Sequence, residues 1–99
     1  MTIEITRGDT KRYTLRFNVD ISGYRIFFVI KDKHEDTTYL HKVEASIVDG
    51  RNAVAVLPSS LTSGLGYRSY PFGVVMTSSD GEIVHTLMKG LIKVTWRVL

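Results

Sequence analysis

Apolar and polar residues alternate with a period of two along most of this chain, and turn-forming residues interrupt the alternation roughly every eight to twelve positions. Side chains of a strand point to opposite faces in turn, so this pattern predicts short strands with one buried face, assembled as a sandwich or small barrel. Ile3 and Ile5 flank Glu4, and Arg7 to Thr10 then form a turn. Tyr13, Leu15, Phe17 and Val19 mark a second strand, and Ser22 and Gly23 introduce a third from Tyr24 to Ile30. After a charged turn over Lys31 to Asp36, Thr37 to Ala45 reads as a weaker strand, and Asp49 with Gly50 turns the chain into Ala53 to Leu57.

Pro58 cannot donate to a ladder and ends that strand; one helical turn fits Pro58 to Leu61 inside a loop that runs to Gly66. Tyr70, Phe72, Val74 and Met76 resume the alternation, with Pro71 suggesting an edge or a local irregularity. Asp80-Gly81 is the strongest hairpin signal and leads to Glu82 to Met88. Gly90 suggests a bulge before a last strand from Ile92 to Val98. Leu87, Leu91, Val94 and Val98 also fit helical spacing, but Gly90 would cost about 1 kcal/mol inside a helix and the region is rich in β-branched residues. The count is seven to eight strands in a single domain over residues 1–99.

The strand from Tyr24 to Ile30 departs from the half-wet pattern. Tyr24, Ile26, Phe28 and Ile30 share one face, while Phe27 and Val29 occupy the other. Whichever parity points to the core, the opposite one needs a cover, from another chain or from a loop of this one.

Composition narrows the function classes. With no Cys, disulfides, thiolate zinc sites, iron–sulfur clusters and cysteine nucleophiles are excluded. Thirteen Lys and Arg against ten Asp and Glu give a net charge of +3, a weak hint of acidic partners. The longest apolar run, Ile26 to Ile30, is far short of the roughly 20 residues of a membrane helix. No basic and apolar leader follows Met1, so no secretory signal is expected.

Chemistry-bearing clusters are few. His34, Glu35 and Asp36 are consecutive turn residues, a poor arrangement for converging on one ion, and no nucleophile elbow or phosphate-binding loop occurs, so neither catalysis, metal nor cofactor is expected. Arg7-Gly8-Asp9 is most simply a turn in which Gly8 supplies a permissive backbone. Lys11, Arg12, Arg16, Arg25, Lys89, Lys93 and Arg97 could serve nucleic acid on outward faces, but they are interspersed with acids rather than drawn into a stripe. Tyr39, Tyr67, Tyr70 and Trp96 could stack on sugar rings, or belong to the core.

Taken in order, Ile3, Ile5 and Thr6-Arg7-Gly8-Asp9-Thr10, then Ser22-Gly23-Tyr24 with Ile26, Phe28, Ile30 and Lys31, resemble the opening of a known domain. Asp49-Gly50 with Val54, Val56, Leu57 and Pro58, then Gly66-Tyr67, Asp80-Gly81, Ile83, Thr86, Leu87, Gly90, Ile92 and Val94 continue the likeness. That domain is the immunoglobulin-like N-terminal module of phage baseplate upper proteins and related prophage tail proteins. The resemblance implies an antiparallel immunoglobulin-like β-sandwich with a virion structural role, docking onto other tail or baseplate proteins without cofactor or catalysis. It implies a location in the phage tail or baseplate, and in the host cytoplasm during assembly. Family members usually continue into further domains, so no receptor-binding or connector role is carried over to the present chain.

The residues themselves place the expected protein interface on Arg25, Phe27, Val29 and Lys31, with Phe27 and Val29 as apolar anchors and a homo-oligomer as one outcome. The competing reading is a ligand-binding β-domain for glycans or single-stranded nucleic acid.

Overall fold

Among the described residues, seven strands and one helical turn make up the fold. The computed structural model describes residues 2–33, 35, 38–81 and 84–96. Its elements are β1 (Thr2–Thr6), β2 (Lys11–Arg16), β3 (Arg25–Ile30), β4 (His41–Asp49), β5 (Asn52–Leu57), α1 (Ser59–Thr62), β6 (Ser69–Thr77) and β7 (Val84–Thr95). They hydrogen-bond in the order β1-β7-β6-β3-β4-β5-β2, a curled, nearly barrel-shaped sheet. Every pairing is antiparallel except one: β1 runs parallel to β7, from Thr2 beside Leu91 to Thr6 beside Thr95. The expectation of a wholly antiparallel fold is corrected there. A parallel neighbour needs a long crossover, and here the whole chain between Thr6 and Val84 serves as one.

The sheet curls because β4 serves two partners. Its first half, His41 to Ala45, pairs with β3, and its second half, Ser46 to Asp49, pairs with β5 across an irregularity between Ile47 and Asp49. This strand begins and ends about four residues later than the alternation predicts. Tyr39 and Leu40 precede it and are exposed, and the strand is exposed at most positions beyond Ala45, so little apolar pattern marks its true extent. The second strand ends early, at Arg16: Phe17 donates to the Arg51 carbonyl, and Asp20 accepts from the Ser22 backbone N–H, turning the chain toward β3.

Two predicted C-terminal strands are one. β7 runs unbroken through Gly90, and the register shift falls at Leu87, between the pairs Val75–Thr86 and Val74–Met88. Gly90 lies directly opposite Phe72 of β6, inside the ladder. Pro71 is on an interior strand rather than an edge. It accepts from the Lys31 backbone N–H at 2.9 Å but cannot return the bond, so the β3–β6 ladder stops at Ile30–Phe72.

Inside the curl, Ile5, Leu15, Ile26, Phe28, Ile30, Leu57, Phe72, Val74, Ile92 and Val94 form the heart of the core. Phe28 stacks between Tyr13 and Phe72, with centroids 6.1 and 5.1 Å away. α1 matches the predicted helical turn, and its buried Thr62 hydroxyl donates to the Asp9 carbonyl at 2.7 Å, tying it to the β1–β2 turn. In that turn Gly8 has φ +88° and the Asp9 N–H returns to the Thr6 carbonyl, as a glycine turn requires.

Candidate functional site

The parity left open by the sequence is resolved: Tyr24, Ile26, Phe28 and Ile30 face the core, and Arg25, Phe27 and Val29 share the outer face with the residue that follows β3, Lys31. Phe27 and Val29 are nonetheless each only 8% exposed and stand outside the core cluster. Among the described residues, side chains of its own sheet lie over Phe27. The Lys42 ammonium of β4 lies 4.2 Å from its ring centroid and the Arg25 guanidinium 5.0 Å, so two cations with apolar stems roof the ring.

Glu44 fixes that roof. Arg25 grips it through Nη2 to Oε1 at 2.7 Å and Nε to Oε2 at 3.3 Å, a two-pronged pair across the β3–β4 ladder. The hydrogen bond from Arg25 holds the Glu44 carboxyl below its ordinary range, and Glu44 in turn raises the Arg25 guanidinium. Lys42 also approaches Tyr39, at 5.7 Å from its ring.

Beside this roof the outer face is hollow. A groove of about 390 Å³ opens over Val29, Pro71, Gly73 and Val75, with Lys31, Thr86 and Lys89 on its walls. Two features of the sequence make it. Gly73 has no side chain to fill the middle of β6, and the register shift at Leu87 displaces β7 next to it. The four expected interface residues are therefore brought together, but as a covered aromatic, a groove floor and flanking cations rather than an open apolar patch. Gly73, Pro71 and Lys89, which alternation alone does not single out, belong to the same surface.

A second opening lies at the seam where the ends of the sheet, β1 and β2, approach without pairing. The slot, about 250 Å³, is lined by Ile3, Tyr13, Leu15, Phe28, Phe72 and Met88. Tyr13 donates from its hydroxyl to the Glu4 carbonyl at 3.4 Å, bridging the seam, and burial pushes its phenol upward.

Of the sugar-stacking candidates, Tyr70 belongs to the core and Tyr39 to the cation roof, while Tyr67 stacks with Trp96 at the end of β7. Of the basic residues, Arg25 is engaged by Glu44 and Arg68 by Asp32. From the His34, Glu35, Asp36 cluster only Glu35 is described, and Arg97 likewise lies outside the described residues. Among the described residues, no three His, Asp or Glu side chains gather as metal ligands, and no helix is long and apolar enough to cross a membrane.

No family model matches the chain, and no curated protein matches it. One similar solved structure is that of an uncharacterized protein from Bacillus anthracis str. Ames, at 15% identity and a TM-score of 0.47 over 94% of this chain and 77% of that one. A likeness of that size decides neither fold family nor function.

Proposed function

We propose that this chain is a non-catalytic docking module of a phage or prophage tail, an immunoglobulin-like sandwich that binds an acidic extended segment of a neighbouring tail or baseplate protein. The groove on the outer face carries the reading. Its floor is apolar, its walls bear Lys31 and Lys89, and the Arg25–Lys42 roof stands at its β4 side, so an extended chain with alternating apolar and acidic side chains complements it.

Two features support the immunoglobulin-like assignment. β4 divides the sheet into a five-strand layer, β1-β7-β6-β3-β4, and a three-strand layer, β4-β5-β2, whose inner faces supply the common core. Tyr70, at the start of β6, accepts a 2.8 Å hydrogen bond on its hydroxyl from the Gly66 N–H four residues upstream, the corner contact typical of such sandwiches. The virion assignment rests on the ordered sequence likeness to baseplate upper proteins.

Two measurements test this. Particles released from the native host after induction are banded by density and probed with antibody to the chain; its absence from tail fractions removes the virion role. Charge reversal of Lys31 and Lys89 to Glu then tests the face, and unchanged retention on tail proteins moves docking elsewhere.

A further inference from the structure

The end of β7 carries a different surface, sharing no residue with the groove. Three segments remote in sequence meet there: Arg7 from the β1–β2 turn, Tyr67 from the loop before β6, and Trp96 just after β7. The indole of Trp96 lies on the Tyr67 ring with centroids 3.9 Å apart and planes within 19°, yet the residue is 73% exposed. One face of the indole is therefore taken by tyrosine and the other is open to solvent.

The arrangement is pinned at its base. Arg7 donates from Nε to the Ser63 carbonyl at 3.1 Å and from Nη1 to the Tyr67 hydroxyl at 3.4 Å, with its guanidinium 5.1 Å from the Tyr67 centroid. Backbone bonds from Arg7 N–H to the Thr95 carbonyl and from Val94 N–H to the Arg68 carbonyl tie both supporting segments to the end of β7. A ring held this way loses little freedom when something lies on it, which lowers the cost of binding.

We propose that the open face of Trp96 is a stacking platform for a pyranose ring of a glycan. A pyranose presents a flat face of C–H bonds with slight positive charge, matching the negative face of the indole, and a rim of hydroxyls that needs polar partners. Beneath the indole, the Tyr67 hydroxyl accepts from Arg7 Nη1 at 3.4 Å, so the aromatic pair carries polar groups at its base. A nucleic acid also stacks on aromatic rings but requires cations for its phosphates. Here Arg7 is committed to Ser63 and Tyr67, Arg68 is held by Asp32, and Lys93 faces Glu4 across the β1–β7 register.

Trp96 is the only tryptophan, so its emission reports this site alone. Titration of the intact chain with cellohexaose and with chitohexaose should give a saturable change with at least one, half-saturating near or below about 1 mM. The response should be indifferent to salt. Tyr67→Ala, which keeps the reporter, should weaken it about ten-fold or more, the size of one stacking contact. Trp96→Ala removes an exposed ring and should fold normally, and calorimetry should then detect no binding. The proposal is overturned by the absence of a saturable change with both sugars, by sugar binding that survives Trp96→Ala, or by a response to oligothymidylate alone that fades with salt. Because the platform and the groove are separate, charge reversal at Lys31 and Lys89 should leave the titration unchanged.

Discussion

Phe27 and Phe28 are adjacent on β3, both are almost hidden from water, and they are buried in different ways. Phe28, 1% exposed, is packed on the core side between Tyr13 and Phe72 and among aliphatic side chains. Phe27, 8% exposed, is roofed by Arg25 and Lys42, whose charged heads reach solvent. The difference teaches that the second face of an apolar strand can be closed without a second core. Long cationic side chains on the neighbouring strand can supply the second cover.

The sharpest break of the comparison is truncation at the inner ring. Phe28→Ala should destabilise the fold by about 3–5 kcal/mol, because the removed ring leaves a cavity that a curled sheet closes poorly. Denaturant unfolding measures this, and a loss below about 2 kcal/mol would mean that the stack contributes little beyond ordinary burial.

Phe27→Ala should cost about 1–3 kcal/mol, since the lost area is similar but the flexible roof can settle into the gap. Equal losses for the two rings would erase the distinction between them. Phe27→Asp sharpens it further: a carboxylate at this position has Arg25 and Lys42 beside it, so the variant should remain folded while the groove margin changes charge. If docking on the outer face uses Phe27, this variant assembles poorly at unchanged unfolding cooperativity.

Lys42 separates the charge of the roof from its bulk. Lys42→Met keeps an apolar stem over Phe27 and should change stability by no more than about 0.5 kcal/mol, whereas Lys42→Ala uncovers the ring and should cost about 1 kcal/mol. A Met variant as unstable as the Ala variant would assign the cover to the cation–π contact instead.

The strand periods were legible in the sequence, and the cover of the outer face was not. Alternation located Ile5 and Leu15 because each sits between polar residues, Glu4 and Thr6 for the first and Thr14 and Arg16 for the second, whereas Phe28 sits between Phe27 and Val29 and its side was left open. It misplaced β4, whose second half has two wet faces and therefore no period to detect, and it divided β7 at Gly90 because glycine reads as a break although the ladder passes through it. Phe27 and Val29 were correctly marked as needing cover, but their neighbours come from pairing: Lys42 lies beside Val29 only through the β3–β4 register. The same holds for Trp96, Tyr67 and Arg7, each visible alone as a candidate and joined only by the closing of the fold.

The smallest expected effect is in acid. Glu44 has its carboxyl lowered by the hydrogen bond from Arg25 and by the charges of Arg25 and Lys42. A carboxyl lowered in the folded state contributes stability that is fully present above its unfolded value and is lost as pH falls through the folded one. The loss should therefore begin below about pH 4.5 and grow downward. Asp20 and Asp49 are lowered too, by backbone hydrogen bonds from Ser22 and Arg51 in turns away from the roof, so the wild-type acid limb contains all three. Glu44→Gln isolates the outer face: the gap between it and the wild type should be small near neutrality, because the pair is exposed, and should close as pH falls. Added salt should narrow the gap at neutral pH. A gap that persists unchanged in acid would show that Glu44 holds the roof through its shape and not through its charge.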